Sequence, residues 1–327
     1  MNFWQTIKGP IFALAPMEDV TDTVFREIVL SISSPNYLNV VFAEFTSVDG
    51  LCHPIGKDKV SHRLYVSPTE RFWLEKNNTR IVAQIWGSDP EKFYQAAKIV
   101  TNEYQFDGID INMGCPVRKI VNQIACSELI KYPDLAKEII IATKEATHLP
   151  VSVKTRTGIK NHTTEQWISN LLKVKPAAIT LHARTQKMMS AYPADWEQVK
   201  IAVELRNQIA PEIPIIGNGD VVSIEDAINK IEQTKADGVM VGRGIFKNPF
   251  LFNHPQSDYT KEVRLRLLIR HLDLFLSTWG EEKNFQIMKK FFKVYCSEFP
   301  GAAELRAKLM ETSNRQQVLE ILSEHLN

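Results

Sequence analysis

The chain has 327 residues, 44% of them hydrophobic, and its 39 Lys and Arg residues nearly balance 38 Asp and Glu residues for a net charge of +1. That length exceeds an average domain but suits a barrel of ~250 residues with a small extra domain. The balanced charge gives no global field of the kind that nucleic-acid binders usually carry, although a local basic patch would escape the average.

The cysteines and apolar runs narrow the class of protein further. The four cysteines form no Cys-x-x-Cys pair, which argues against a zinc site or a disulfide framework; they are Cys52, Cys115, Cys126 and Cys296. No run approaches ~18 consecutive apolar residues, and the first ten residues contain no apolar signal core. We therefore expect a reduced cytoplasmic protein with no metal site and no membrane span.

Eight short apolar runs recur along the chain, and each ends in a polar or glycine-containing turn. They lie at 11–15, 40–44, 81–85, 108–112, 151–154, 178–182, 213–218 and 238–242. Runs this short and rich in Val and Ile are typical of buried parallel strands. Eight strands alternating with helices predict a (β/α)8 TIM barrel. An open, doubly wound sheet is the alternative, but the count of eight favours closure.

Most intervals between these runs carry an amphipathic helix pattern, as at 22–30, 90–104, 134–146, 164–174 and 223–233. Residues 49–78 read as an insertion that holds either an active-site loop or an extra surface helix. Beyond Pro249 only helical patterns follow, at 259–280, 285–299, 302–311 and 316–325. We therefore predict a catalytic barrel at 1–250 and a small all-helical domain at 251–327, with the boundary near 251–257.

A thiol lies on a tight turn at the end of the fourth predicted strand. The strand stops at Asn112, and Gly114, Cys115 and Pro116 follow. Glycine permits backbone angles that other residues avoid, and proline fixes the next turn. Cys115 is thus placed either for chemistry or as a buried residue that fills a gap.

The loops after the last two predicted strands favour a phosphate site. Asn218-Gly219-Asp220 follows the seventh strand, and Gly242-Arg243 follows the eighth. Barrels often bind phosphate with these two loops, where glycines let backbone N–H groups approach the anion and an arginine adds charge. A phosphorylated ligand would therefore lie across the mouth of the barrel.

Three further strand ends point to the rest of that ligand. Lys154 could form a Schiff base or stabilise a negative ring, and His182 could be a base, a hydrogen-bond donor or a satisfied core residue. The amide of Gln84 can pair with the edge of a pyrimidine-like ring. Together with the phosphate loops, these side chains suit flavin mononucleotide (FMN), whose reduced ring is anionic where a lysine would stabilise it.

Eight segments in this order resemble the tRNA-dihydrouridine synthases. They are APMEDVTD at 15–22, DINMGCP at 110–116, VKTR at 153–156, LHART at 181–185, ADW at 194–196, IGNGD at 216–220, MVGRG at 240–244 and GAAELR at 301–306. The likeness covers 9–312. It implies a flavoenzyme that reduces the C5=C6 bond of a specific uridine in tRNA, with NADPH as the reductant.

The resemblance also assigns roles to residues of this chain. The FMN set would be Ala15, Pro16, Met17, Gln84, Lys154, His182, Asn218, Gly219, Asp220, Gly242 and Arg243. Hydride would pass from flavin N5 to uracil C6, and Cys115 would be the acid that protonates C5. Asn112 and Arg184 would contact the target base, which must leave its stack to reach the barrel mouth.

RNA affinity would come from basic residues around the mouth and on the C-terminal helices. The candidates are Arg118, Lys119, Lys187, Lys289, Lys290, Lys293 and Arg306. Lys289, Lys290 and Lys293 fall within about one helical turn and share a side, which is either an RNA contact or a solvated helix face. A monomer is the expected state for an enzyme that admits a whole tRNA.

Two loops depart from the family pattern. The stretch 121–128 lacks the usual glycines, and 188–193 lacks the usual Tyr-x-Gly. Both would border the substrate, so the position of the RNA and its class are open. Cys126, in the first of these loops, falls at a predicted helix start, and we interpret it as structural.

Three alternative functions stay open at this point. The same reaction could act on ribosomal RNA, or the chain could be a small-molecule flavin dehydrogenase of the dihydroorotate type. A third alternative is an RNA-binding protein without catalysis, although the flavin set is complete. The sequence does not identify which uridine is reduced.

Overall fold

The computed structural model describes residues 2–253, 259–280 and 282–326. Its sheet is parallel throughout and closes on itself, because β2 pairs with both β1 and β4. The strands are β1 Ile11–Leu14, β2 Val40–Phe42, β3 Thr46–Ser47, β4 Arg80–Trp86, β5 Gly108–Met113, β6 Val151–Arg156, β7 Ile179–His182, β8 Ile215–Asn218 and β9 Gly238–Val241. Since β3 is a two-residue addition to the edge of β4, the barrel itself has eight strands. The predicted TIM barrel is confirmed.

Helices surround this barrel and then follow it. Those up to residue 247 are α1 Thr23–Ile32, α2 Val48–Cys52, α3 Gly56–Val60, α4 Pro68–Asn77, α5 Pro90–Glu103, α6 Arg118–Val121, α7 Pro133–Glu145, α8 Thr164–Lys173, α9 Glu197–Ile209, α10 Ile224–Thr234 and α11 Gly244–Lys247. The later ones are α12 Lys261–Trp279, α13 Lys289–Tyr295, α14 Ala302–Met310 and α15 Arg315–Leu326. Short 3-10 helices occupy Phe3–Gln5, Ser61–Leu64, Cys126–Lys131 and Phe285–Met288.

Alternate residues of each strand face the inside and the outside of the barrel. A small apolar cluster fills the inside, where Phe3 and Trp4 pack with residues of β1, β2, β8 and β9. A much larger cluster joins the outer faces of the strands to the helices. The 3-10 helix at Phe3–Gln5 therefore closes one end of the barrel, and the other end is left for a site.

The predicted insertion at 49–78 is wrong in its second half. Helix α4 is the barrel's own helix between β2 and β4, so the alternation continues there. Ser67 caps it by accepting a hydrogen bond from Glu70 N at 2.9 Å, and Pro68 occupies its first turn. Glu70 forms a fully buried ion pair with Arg26 of α1 at 2.6 Å. The Ser-Pro-x-Glu capping pattern was the sequence signal for this helix.

The C-terminal helices pack against α1 and share its hydrophobic cluster. The ring of Phe25 lies 5.2 Å from that of Phe291 in α13. Asp22 caps α1 through Phe25 N at 3.0 Å, and its other oxygen accepts hydrogen bonds from Trp279 Nε1 at 2.9 Å and Lys283 Nζ at 3.1 Å. One carboxylate therefore joins the two parts of the chain. The predicted boundary at 251–257 lies mostly outside the described residues, which omit 254–258.

The predicted helix at 285–299 is instead a 3-10 turn at Phe285–Met288 followed by α13. The three other C-terminal helices agree with prediction to within two residues. In the part of the chain that the structure describes, no helix is both long and apolar enough to span a membrane.

Candidate active site

Polar side chains line the half of the barrel interior that lies at the carboxyl ends of the strands. In-register neighbours on parallel strands point the same way, and the register pairs Gln84 with Asp110, Asn112 with Lys154, and His182 with Asn218. The strands that place these side chains run consecutively from β4 to β8. A polar layer therefore replaces the apolar filling at the carboxyl ends of the strands.

A buried hydrogen-bond network fixes one side of this layer. Asp110 accepts hydrogen bonds from Ser152 Oγ at 2.6 Å and from Gln84 Nε2 at 2.7 Å. Gln84 Oε1 in turn accepts one from Asn112 Nδ2 at 3.1 Å. Burial raises the pKa of Asp110 to about 6, although the bonds from Ser152 and Gln84 oppose the rise. The carboxylate thereby sets which way both amides point.

The oriented amide of Asn112 shapes the turn that carries Cys115. Asn112 Oδ1 accepts hydrogen bonds from Gly114 N at 3.0 Å and Cys115 N at 3.1 Å. Arg156 Nε donates to Gly114 O at 2.6 Å, and Ser127 Oγ donates to Cys115 O at 2.7 Å. The Cys115 backbone is thus held from three directions, and its side chain stays partly exposed.

The Cys115 thiol has an unusual electrostatic setting. Its pKa is lowered to about 7, first by a hydrogen bond from the Cys126 thiol and then by Val117 N–H and the charge of Arg156, while burial opposes the change. Arg156 is itself buried, which lowers its pKa to about 10, so it keeps its charge at neutral pH. A thiol with this pKa can give up and regain a proton near pH 7.

A cavity of about 410 Å³ opens at the carboxyl ends of β1 and β6 to β9. Lys154 reaches into it and donates to Asn218 Oδ1 at 3.3 Å, and Asn218 is fixed by its own bond to Met240 O at 2.8 Å. Burial, together with the charge of Arg156, lowers the pKa of Lys154 to about 8. Among the described residues Lys154 forms no ion pair, so the site has an unneutralised ammonium group.

His182 lies beside this lysine as a neutral ring. Burial and the four cations around it, Lys154 among them, hold its pKa well below the usual value. Arg184 Nη1 lies 3.2 Å from His182 Nε2, where a neutral imidazole nitrogen can accept a hydrogen bond. At neutral pH His182 is therefore an uncharged group beside the cavity and not a source of positive charge.

Two loops form the outer wall of the cavity. Asp220, at a φ of 52°, binds Arg184 Nη2 with both carboxylate oxygens at 2.6 and 2.5 Å. Gly219 adopts a φ of 134°, and a side chain there would come within 2.7 Å of Ala194. A side chain at Gly244 would collide with the backbone of Val221. The loops after β8 and β9 therefore lie backbone to backbone, and the Arg243 side chain beside them is 59% exposed.

The structure brings most of the predicted site residues to one place. The cavity is lined by Ala15, Pro16, Met17, Lys154, His182, Arg184, Asn218, Gly219, Asp220, Gly242 and Arg243. Gln84 and Asn112 lie buried in the adjacent network and not on the cavity wall, and Cys115 occupies the neighbouring turn.

Sequence reasoning gave no role to several residues that hold this site. Asp110 and Arg156 lie inside the DINMGCP and VKTR motifs, but the sequence does not show that the carboxylate is buried or that the arginine binds the backbone. Trp196 packs against Gly217 and donates to Gly219 O at 3.0 Å, a contact visible only in three dimensions. Val221, Val222 and Lys247 also line the cavity. Within the described residues no group of three or more His, Cys, Asp or Glu side chains is arranged to hold a metal ion.

The fold and the cavity define a TIM-barrel protein with a ligand site at the carboxyl ends of its strands. The dihydrouridine synthase (Dus) family model matches residues 13–327, so the chain belongs to that family.

Two bacterial proteins illustrate the relationship. The chain is 40% identical over 325 residues to a probable tRNA-dihydrouridine synthase 2 of Bacillus subtilis (strain 168), a match that covers 99% of this chain and 96% of that protein. It is equally similar to a probable tRNA-dihydrouridine synthase of Staphylococcus aureus (strain COL), with 95% of that protein covered. A crystal structure of TcOYE with pHBA shares the fold at a TM-score of 0.50 and 12% identity, over 73% of this chain and 87% of that one.

Proposed function

We propose that this chain is an FMN-dependent tRNA-dihydrouridine synthase that reduces the C5=C6 bond of a uridine in tRNA and uses NADPH as the reductant. The observation that carries the proposal is the adjacency of two features. The Cys115 turn lies next to a cavity that presents Lys154 and the loops after β8 and β9. The Cys115 turn would supply a proton, and the cavity would suit a phosphorylated ring system.

The residues of the cavity fit FMN. Its volume of about 410 Å³ falls within the ~300–1,000 Å³ usual for ligand sites. Gly219, Gly242 and the exposed Arg243 would hold the phosphate, and Lys154 would face the negative charge of the reduced ring. Ala15, Pro16 and Met17 would lie along the flavin. The chemistry that FMN supplies when bound is hydride donation.

The role proposed for Gln84 is narrower than the sequence suggested. One of its N–H groups is bound to Asp110 and its oxygen to Asn112, which leaves one N–H and one lone pair for the pyrimidine edge. Asn112 is bound to Gln84 and to the Cys115 turn, so it would hold the uracil chiefly by placing that turn.

Cys115 is the proposed acid. Its protonated thiol would deliver the proton at C5 of the uracil while hydride adds at C6, and the thiolate left behind would be stabilised by Val117 N–H and the charge of Arg156. Acids work best when their pKa lies near the working pH, and the pKa of Cys115 lies at about 7. The thiol then regains a proton before the next turnover.

Arg184 is proposed to act mainly on the loops of the mouth. It donates to Tyr192 O at 2.6 Å, to His182 and to both oxygens of Asp220. A direct contact with the target base would use its one remaining N–H group.

RNA would be held by the basic groups around the mouth. Arg118, Lys119 and Lys187 are exposed beside the two loops that border the proposed substrate site, and Lys290 and Lys293 are exposed on α13. Lys290 Nζ also donates to Asp19 O in the loop after β1, at 2.5 Å. That contact supports a continuous surface from the C-terminal helices, proposed as an RNA-binding domain at 251–327, to the barrel mouth. A cytoplasmic monomer belongs to the same proposal.

The proposal is tested by incubating purified protein with FMN, NADPH and either bulk tRNA or ribosomal RNA, and mapping dihydrouridine by position. New dihydrouridine at defined tRNA positions is the expected result, and it identifies the target uridine. Product confined to ribosomal RNA would replace the substrate. Absence of product in both RNAs, from protein that holds flavin and oxidises NADPH, would favour a small-molecule dehydrogenase.

The cofactor site has its own test. Arg243→Ala removes the exposed guanidinium beside the phosphate loops, and a charged hydrogen bond of this kind is worth ~1.5–3 kcal/mol, or about 10- to 100-fold in affinity. We expect FMN titrations followed by fluorescence to show that loss. Arg266→Ala, which removes a 67% exposed arginine from α12, is the matched control. Equal FMN affinity in both variants would contradict the phosphate role of Arg243.

A further inference from the structure

A second cysteine packs directly behind the Cys115 turn. Cys126 is fully buried with Phe45, Ile120 and Ala125, and Cys115 packs against this cluster. The next residue, Ser127, ties the two segments together, because its N–H and Oγ both donate to Cys115 O, at 3.3 and 2.7 Å. The Cys126 thiol is therefore held against Cys115 by the fold itself.

The backbone around Cys126 is not in a low-energy conformation for its residues. Cys126 adopts a φ of 55° and Ile124 a φ of 56°, in the left-handed region that glycine occupies freely and that costs other residues ~1–2 kcal/mol. Glycine would relieve this strain at both positions. At 126, glycine would also remove the thiol.

The two thiols differ in their surroundings, and this difference decides which of them would donate a hydrogen bond to the other. Burial in the apolar cluster raises the pKa of Cys126 well above its usual value, so this thiol keeps its proton. Cys115 is partly exposed and is the group that ionises more readily. Cys126 S–H is therefore the group that can donate, and Cys115 Sγ the group that can accept, a hydrogen bond between the two.

We propose that Cys126 is a positioning residue for the reaction of Cys115, because its S–H donates to Cys115 Sγ and stabilises the thiolate that remains once Cys115 has given up its proton. This inference rests on the acid role of Cys115 under the proposed function. It predicts that the chemistry of Cys115 changes when the donor at 126 is removed, and that a hydroxyl at 126 restores it.

The test is the pH dependence of Cys115 alkylation by iodoacetamide, measured on full-length reduced protein by mass spectrometry of the Cys115 peptide. Only the thiolate reacts, so the midpoint reports the ionisation of Cys115. In Cys126→Gly, which suits the left-handed backbone, we expect the midpoint to rise by about one pH unit or more. In Cys126→Ser, which keeps a donor, it should stay close to that of the wild type.

Ile124→Gly is the matched control, because it relieves the same kind of strain in the same segment and leaves both thiols in place. Its midpoint should not move. An unchanged midpoint in Cys126→Gly, or an equal rise in the Gly and Ser variants, would overturn the hydrogen-bonding role and leave Cys126 as packing only.

The alkylation midpoint needs neither tRNA nor reductant, so it separates this inference from the proposed function. The pH profile of dihydrouridine formation then decides the catalytic part, and it should shift in Cys126→Gly in the same direction as the alkylation midpoint. A profile that does not shift overturns that part. Wild-type protein that forms no dihydrouridine in any RNA refutes the proposed function and the catalytic part together, whatever the alkylation midpoint shows for the thiol pair.

Discussion

Single residues of this site work through their neighbours. Asp110 touches no part of the cavity, yet it orients Gln84, which orients Asn112, which in turn holds the backbone of Cys115. Each link is a buried hydrogen bond, and a buried polar group that loses its partner costs ~1–3 kcal/mol. The position of the proposed acid therefore depends on a carboxylate two residues before Asn112.

Asp110→Asn tests this chain of contacts. An amide at 110 would turn an N–H group toward either Ser152 or Gln84, so we expect the free energy of unfolding to fall by ~1–3 kcal/mol in urea titrations. Asp134→Asn, at a side chain that is 86% exposed, should change it by less than ~0.5 kcal/mol.

The pH dependence sharpens this prediction. Because the pKa of Asp110 is raised to about 6 in the folded protein, its contribution to stability is present below the unfolded pKa of ~3.9 and is lost as the pH rises through about 6. The deficit of Asp110→Asn should therefore be larger at pH 5 than at pH 7.5. An equal deficit at both values would show that Asp110 does not titrate in this range.

At the scale of elements, the barrel strands and most helices follow from hydrophobic periodicity, because buried parallel strands leave short apolar runs. Because each apolar run marks where a strand ends, the polar residues at those ends identified Lys154, His182 and Asn218 as site residues. An extra surface helix was one of the two expectations for 49–78, but the place of α4 in the barrel alternation was not predicted, because only its Ser67-Pro68-x-Glu70 cap marks it. The left-handed backbone at Ile124 and Cys126 could not be predicted, since neither residue type favours it.

Ile124→Gly tests the strain in this segment. Ile124 has a φ of 56° and is 41% exposed, so glycine removes a conformational cost of ~1–2 kcal/mol together with the buried part of the side chain. Ile141 within α7 is 43% exposed, so the same substitution there removes a similar amount of buried surface and also lowers helix propensity. We therefore expect Ile124→Gly to leave the free energy of unfolding, measured in urea titrations, ~1–2 kcal/mol higher than Ile141→Gly does. Equal losses at the two positions would mean that the segment is not strained.

At the scale of the whole molecule, the C-terminal helices and the barrel share one hydrophobic cluster. The composition change after Pro249 located the start of the helical part, but it gave no sign of how these helices dock. The docking depends on Asp22, whose second oxygen binds Trp279 and Lys283, and on the contact between Phe25 and Phe291. Such contacts join residues more than 250 positions apart and leave no local pattern.

Asp22→Asn tests the docking without removing the helix cap, because asparagine caps helices as well as aspartate does. The new amide N–H would face the N–H groups of Trp279 and Lys283, so we expect faster hydrogen exchange across 261–279 and a loss of ~1–3 kcal/mol of stability. Asp89→Asn is the control, since Asp89 caps α5 through Glu91 N at 3.0 Å. Equal exchange in the two variants would contradict the linking role of Asp22.

The most direct test of the account is the dihydrouridine formed in tRNA by Cys115→Ala, quantified by mass spectrometry after incubation with FMN and NADPH. Because Cys115 is proposed to supply only the proton, the variant should keep its FMN and oxidise NADPH at the wild-type rate. Loss of a general acid costs ~100- to 10,000-fold in rate, so its initial rate of dihydrouridine formation should fall by at least that lower factor. Cys52→Ala should form product at the wild-type rate. Wild-type product formation by Cys115→Ala would contradict the assignment of Cys115 as the acid.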